Sequence, residues 1–137
     1  MRRLWLGVVG VVAALGFMVP MASASPAQIV IRVREISSNF VQQGNTFSFS
    51  SVLKQSGATV GSDAVTCHTG GQCQAEFTFN GEGTIFGHVP TADTSSPSFV
   101  ATVTGGTGTF TGAHGGVTIT STNPNGNVSQ LVFRIKT

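Results

Sequence analysis

Apolar and polar residues alternate along most of the chain after residue 25. A period of two residues is typical of β-strands, whose successive side chains point to opposite faces of a sheet. The alternation is interrupted by turns rich in glycine, asparagine and proline, and it predicts eight strands and no helix. The predicted strands are residues 28–37, 46–54, 59–67, 73–80 and 83–89, then a sixth through Phe99, Ala101 and Val103, a seventh through Val117 and Ile119, and an eighth through Leu131, Phe133 and Ile135.

Eight short strands joined by turns favour an antiparallel barrel or a two-sheet sandwich. Eight is also the strand number at which a barrel interior either fills with side chains or holds one small ligand. The alternative, an immunoglobulin-like sandwich, usually carries a disulfide between its sheets, and Cys67 and Cys73 lie too close in sequence for that bridge. The pattern therefore predicts an all-β, eight-stranded antiparallel barrel.

The first 24 residues have the pattern of a secretory signal peptide. Arg2 and Arg3 form a basic start, residues 4–19 are apolar, and Ala22-Ser23-Ala24 provides the small residues of a cleavage site. The alternative is a membrane anchor, but the apolar run is shorter than the roughly 20 residues that span a bilayer. We therefore predict cleavage after residue 24, a secreted protein without a membrane segment, and one domain at residues 25–137.

Removal of this leader also changes the charge of the protein. The chain has seven Lys and Arg residues, and without Arg2 and Arg3 five basic residues face five acidic ones. A formal charge of zero leaves no basic patch that would indicate nucleic acid or an anionic membrane as a partner. No cofactor is predicted either, because no cofactor-binding motif is present.

The two cysteines enclose a short loop, residues 68–72, that contains two glycines and lies between two predicted strands. In a secreted chain this arrangement predicts a disulfide between Cys67 and Cys73 that closes the hairpin. A zinc site would have to combine these cysteines with His68 and with His88 or His114, and the spacing matches no zinc-ligand pattern. We therefore predict no metal site, and we place His88 and His114 at the barrel rim or on the surface.

Other motifs that carry chemistry are few. The sequence has no Gly-x-Ser-x-Gly nucleophile elbow. Asn127-Val128-Ser129 is an acceptor pattern for glycosylation, which has meaning only in a eukaryotic secretory route, and the sequence leaves open whether Asn127 is modified.

Six glycines are concentrated between Gly105 and Gly116, with apolar and threonine-rich sequence on both sides. A phosphate-binding loop is the functional alternative, but the spacing of its glycines is one residue too long for the dinucleotide fingerprint, and no Lys-Ser/Thr pair follows. Residues 117–120 read as a strand, so no helix N-terminus is predicted there to hold a phosphate. The cluster instead indicates a tight corner between two strands, where glycine permits positive φ or close backbone contact.

The same stretch carries a family resemblance. Thr104-Gly105-Gly106-Thr107-Gly108, followed by Phe110, Gly112-Ala113 and Gly115, resembles the GGTG-x-F/Y-x-GA-x-G signature of the allene oxide cyclase barrel and the related dirigent proteins. Gly61 with Cys67, Phe77-Thr78-Phe79 and Leu131-Val132-Phe133 are similar too, so the resemblance covers about residues 33–135. It implies the same eight-stranded barrel.

The resemblance also implies a site. In the plant cyclases a glutamate of the first strand, two amide side chains and a cysteine lie beside the substrate. By resemblance Glu35 matches the glutamate and Cys67 the cysteine, while Ser37 and Ser51 stand where the amides would be. Strand parity agrees, because Glu35, Ser37 and Ser51 share the faces that carry the apolar residues of their strands. These three are the candidate catalytic residues, and uncertain strand ends leave open whether they face the lumen or the solvated rim.

Three functions suit such a barrel. We favour a secreted protein that binds a small apolar molecule in the lumen, without a cofactor. The alternative is an isomerase or cyclase that orients a flexible unsaturated substrate, with Glu35 supplying charge or a proton. The third is a structural or interaction protein whose barrel is filled by its own side chains. The candidate ligand contacts are Phe47, Phe49, Phe77, Phe79, Phe99 and Phe133.

A homotrimer is the oligomer that the resemblance implies. The predicted fifth strand gives a local reason for self-association, because Ile85, Phe86 and Val89 make it apolar on both faces. Such a strand is either covered on its outer side or part of a subunit contact.

Overall fold

The computed structural model describes residues 27–137, which form a closed barrel of eight antiparallel strands. Each strand pairs with the next in the chain, and the last pairs with the first. The strands are β1 (Ile29–Gln43), β2 (Thr46–Gln55), β3 (Ala58–His68), β4 (Gln72–Phe79), β5 (Gly83–Pro90), β6 (Ser98–Gly106), β7 (His114–Ser121) and β8 (Val128–Lys136). The predicted eight-stranded barrel is therefore confirmed. The predicted signal peptide, residues 1–24, lies outside the described residues.

The strand β1 is longer than the alternation predicted. Its pairing with β2 shifts register between Ser38 and Val41, and Asn39 takes a positive φ of 54°. Beyond Ile36 the strand no longer pairs with β8, and Phe40, within the bulge, is 63% exposed. A bulge lets a strand continue after its inward and outward alternation has ended, which is why the periodicity stopped short of the strand's end.

One end of the barrel, which we call the closed end, is filled by aromatic side chains. Phe77, Phe79, Phe110 and Phe133 are almost fully buried there. The ring centroids of Phe79 and Phe110 lie 5.6 Å apart, and the ring of Phe133 meets those of Phe77 and Phe79 edge-on at 5.0 and 5.5 Å. Such tilted pairs add to the stabilisation that comes from burial alone.

The glycine-rich stretch forms the predicted corner between two strands, β6 and β7, and this corner lies at the closed end. It leads from β6 to β7 through a short 3-10 helix, Gly108–Phe110, which inserts the ring of Phe110 into the barrel. Gly108 has a φ of 59°, and a Cβ at this position would overlap the carbonyl oxygen of Glu82. Glycine is therefore required for two reasons, backbone conformation and close contact with the neighbouring hairpin.

The opposite end, which we call the mouth, is less regular. The connection between β5 and β6 contains a short 3-10 helix, Thr91–Ser95, although the alternation predicted no helix. Its first residue holds it in place, because the Thr91 hydroxyl donates a hydrogen bond of 2.7 Å to the carbonyl oxygen of His68. The loop between β7 and β8 lies at the same end, so both connections border the opening of the barrel.

The basic side chains lie on the outer wall. Arg32, Arg34 and Arg134 are exposed at positions that alternate with buried apolar residues. Lys54 and Lys136 occupy equivalent outward positions beside the buried Leu53 and Ile135. Within residues 27–137, no helix is both long and apolar enough to cross a bilayer.

Candidate functional site

A cavity of about 750 Å³ occupies the mouth half of the barrel. This volume lies within the range of small-molecule sites. Its wall is largely apolar, and exposed residues of the two mouth loops, including Ser96 and Gly126, border its opening. The apolar and cysteine side chains that line it are Phe47, Phe49, Val65, Cys67, Cys73, Ala75, Phe77, Val89, Phe99, Ala101 and Ile119.

The six phenylalanines predicted as ligand contacts divide into two groups. Phe47, Phe49, Phe77 and Phe99 line the cavity. Phe79 and Phe133 do not line it, because they pack against Phe110 and Phe77 in the closed end. Parity along a strand predicts that a residue faces inward, but it does not predict at which depth the barrel stops being filled.

Glu35 faces the lumen. It follows the buried Ile31 and Val33 on the inward face of β1, and only 7% of it is exposed. It also lines the cavity. The choice between lumen and solvated rim, which the sequence left open, is therefore decided in favour of the lumen.

The two serines lie where the alternation predicted them. Ser37 and Ser51 are opposite each other in the pairing of β1 with β2, and the Ser51 hydroxyl donates a hydrogen bond of 3.2 Å to that of Ser37. Ser51 is buried, while Ser37 lines the cavity. A further buried serine, Ser129, lies opposite Glu35 on β8. Glu35 and the three serines form a polar stripe on the inner face of β8, β1 and β2.

The sequence reasoning missed the second acidic residue of this stripe. Asp63 lies on β3, opposite Ser51 on one side and Phe77 on the other, and it is only 4% exposed. A signal for it was present, because Asp63 shares the inward parity of Val65 and Cys67. The family resemblance implies polar site residues on the first two strands only, so it gives no indication of a carboxylate on the third.

Glu35 is held in its protonated form. Burial, the hydrogen-bonding capacity of Asp63 and the negative charge of Asp63 together raise the pKa of Glu35 to about 10, while a hydrogen bond with Ser37 acts in the opposite direction. Neither carboxyl oxygen of Asp63, however, has a well-aligned hydrogen-bond partner among residues 27–137. The hydrogen bond with Asp63 that contributes to this pKa therefore depends on the proton of Glu35 itself, and no second donor to Asp63 is present among these residues.

The predicted disulfide is present. Cys67 and Cys73 are bonded and lie directly opposite each other in the pairing of β3 with β4. Both line the cavity close to the mouth. Cys67 is thus near the site, as the resemblance implied, but as half of a disulfide it is not a thiol nucleophile.

The histidines are placed apart from one another. His88 contributes to the cavity lining from β5, across the barrel from β1, and its buried Nδ1 has no hydrogen-bond partner among the described residues. His114 is exposed at the start of β7. In the part of the chain that the structure describes, no group of three or more His, Cys, Asp or Glu side chains could hold a metal ion.

Comparison with solved structures identifies related folds. A pyocyanin demethylase superposes with a TM-score of 0.61 and 19% identity, covering 77% of this chain and 100% of its own. A pterocarpan synthase dirigent protein has a TM-score of 0.61 and 14% identity, and the match covers 80% of this chain and 86% of the dirigent protein. A Diels Alderase from Streptomyces koyangensis has a TM-score of 0.57 and 15% identity, and the match covers 90% of this chain and 78% of the Diels Alderase. No protein-family model and no curated protein sequence matches the chain. The likeness confirms the predicted dirigent-type barrel as the fold.

Proposed function

We propose that this protein binds a small, mostly apolar molecule in the mouth half of its barrel. The observation that supports this most directly is the cavity of about 750 Å³, open at the mouth and walled by Phe47, Phe49, Phe77 and Phe99. A barrel that served only as a structural element would gain stability by filling this space, as the closed end does. The names of the three structural neighbours refer to activities on small molecules, which agrees with the proposal.

Secretion is part of the same proposal. The disulfide between Cys67 and Cys73 supports it, because such bonds persist in oxidising compartments. The predicted signal peptide gives the second reason. The ligand would then be a molecule met outside the cytoplasm.

Binding can be tested with N-phenyl-1-naphthylamine, a neutral probe that fluoresces in apolar sites. The variant Ala75→Trp places a large side chain into the cavity, since Ala75 lines it. Its matched control is Ala64→Trp, which adds the same side chain at an exposed position on the neighbouring strand. We expect the wild type and Ala64→Trp to enhance the fluorescence, and Ala75→Trp to lose the enhancement. Equal enhancement by all three would contradict binding in the lumen.

A second candidate function is isomerisation or cyclisation of a flexible unsaturated substrate. The observation that favours it is the protonated Glu35 at the cavity wall, whose pKa of about 10 keeps a proton available at neutral pH. Glu35 would donate this proton to the substrate and recover it as the rearranged product forms, so that no other reactant is needed. The lumen would contribute by holding the substrate in one folded conformation.

The variant Glu35→Gln separates the two functions. Glutamine keeps the shape of the protonated acid but cannot transfer its proton. If Glu35 is catalytic, the variant should still bind the ligand while turnover disappears. If the protein only binds, turnover is absent from the wild type as well.

A further inference from the structure

The pair formed by Glu35 and Asp63 carries an uncompensated charge. The proton on Glu35 leaves a negative charge on Asp63, and this charge is one of the causes that raise the pKa of Glu35. No cation is among the groups that act on Glu35, and the Lys and Arg residues of the described chain lie on the outer wall. A negative charge inside an apolar barrel is costly unless it is paired.

Asp63 also has few hydrogen-bond donors. Both of its carboxyl oxygens are buried, and apart from the proton of Glu35 neither has a donor among residues 27–137. Asp63 does not itself line the cavity but lies next to it on the inward face, because Val65, two residues further along β3, and Phe77, opposite it on β4, both line the cavity. Buried carboxylates in folded proteins are nearly always hydrogen-bonded, so a donor that enters from the cavity side would complete this site.

The aromatic side chains of the cavity wall also favour a cationic ligand. Phe47, Phe49, Phe77 and Phe99 line the same cavity as Glu35. Aromatic faces attract cations, and the attraction grows when water is excluded. The one histidine of the lining, His88, lies on β5 across the barrel, so it does not pair with the acidic residues of β1 and β3.

We propose that the pair of Glu35 and Asp63 selects ligands that carry a cationic nitrogen on an apolar body, with the nitrogen at Glu35 and the body among the phenylalanines. This inference rests on the proposed ligand binding in the lumen and narrows it to one chemical class. An ammonium or a protonated ring nitrogen supplies both things that the pair lacks, a positive charge and hydrogen-bond donors. A neutral hydroxyl supplies only a donor, and a carboxylate repels the pair.

The test compares three ligands with the same apolar chain: octylammonium, octanol and octanoate. Each competes with N-phenyl-1-naphthylamine at neutral pH. We expect octylammonium to displace the probe at a concentration about tenfold or more below that of octanol, as one desolvated charge pair would produce. Octanoate should be the weakest competitor. Equal potency of octylammonium and octanol would overturn the inference and leave the proposed function intact, whereas failure of the probe and of all three ligands to bind would remove both.

The double variant Glu35→Gln with Asp63→Asn assigns the preference to the pair. The ratio between its affinities for octylammonium and octanol should fall by about tenfold, to near one, whatever the change in its affinity for octanol. Glu76→Gln is the matched control, because Glu76 is an exposed carboxylate on the outer face of β4, and it should keep the preference. A preference that survives in the double variant would contradict the assignment.

A measurement on the wild type keeps the inference testable if the double variant does not fold. A bound cation beside Glu35 favours its ionised form, so octylammonium should lower the pKa of Glu35 from about 10. Octanol should leave it unchanged or raise it. Carbon NMR of the Glu35 carboxyl over a pH series measures this directly. The same pKa with octylammonium and with octanol would overturn the inference.

Discussion

The carboxyl group of Glu35 faces that of Asp63 inside the barrel, although the two residues belong to strands separated by β2. On β2, the strand between them, Ser51 lies opposite Asp63 and Leu53 lies opposite Glu35. Burial disfavours the ionised form of Glu35, and the hydrogen bond and charge of Asp63 add to this effect, so Glu35 keeps its proton at neutral pH. Arrangements of this kind are concentrated at functional sites, which is why we place the ligand here.

The stability of the protein should fall as the pH rises. The pKa of Glu35 is raised from 4.5 to about 10 in the folded protein, so between these values the folded state binds more protons than the unfolded state. The free energy of unfolding then decreases with pH, by at most about 1.4 kcal/mol per pH unit from this one group. Urea unfolding at several pH values within this window measures the slope.

The variant Glu35→Gln should remove this contribution, because glutamine does not ionise. Its free energy of unfolding should depend less steeply on pH than that of the wild type. Glu76→Gln, which changes an exposed carboxylate, should keep the wild-type slope. If Glu35→Gln and the wild type had the same slope, Glu35 would not be the buried acid that we describe.

Substitutions at two glycines with the same φ should distinguish the cost of backbone strain from the cost of a steric overlap. Gly108 and Gly44 both have a φ of 59°, but only at Gly108 would a Cβ overlap a neighbouring atom, the carbonyl oxygen of Glu82. Gly44→Ala should therefore cost about 1–2 kcal/mol, the strain of a left-handed alanine. Gly108→Ala should cost clearly more, because the corner must move away from the neighbouring hairpin. Chemical denaturation of both variants gives the comparison, and equal losses would argue against the close contact.

The disulfide should stabilise the protein by a modest amount. Cys67 and Cys73 are six residues apart, so their bond closes a short loop. Closing a loop of this size lowers the entropy of the unfolded chain, which raises the free energy of unfolding by about 2 kcal/mol. The double variant Cys67→Ala with Cys73→Ala should lose free energy of unfolding of this order. Adding reductant should destabilise the wild type and leave the variant unchanged; an equal effect on both would show that the bond contributes nothing.

Self-association through the outer face of β5 remains a proposal from the sequence. Phe86 points outward there, and its ring lies beside Gly105 of β6. If this face is a subunit contact, Phe86→Arg should lower the mass measured by sedimentation, because a charge in the centre of an interface is costly. Thr66→Arg, at an exposed position on β3, should not. A wild type that sediments as a monomer would contradict the proposal.

The sequence by itself determined most of the fold. The two-residue alternation located all eight strands, the glycine cluster located the corner, and the spacing of Cys67 and Cys73 indicated their bond. Parity also placed Glu35 and Ser51 on inward faces. These features could be predicted because they depend on neighbours within a strand or a hairpin, where the backbone geometry is known in advance.

Only the tertiary structure decided where the barrel is filled and where it is open. The packing of Phe79 with Phe110 and Phe133 joins residues from three separate parts of the chain, and it excludes two predicted contacts from the cavity. The interaction of Glu35 with Asp63 likewise joins residues of two strands that are separated by a third. Depth within the lumen and pairing across a strand arise from the closure and stagger of the whole barrel, which no local period of the sequence encodes.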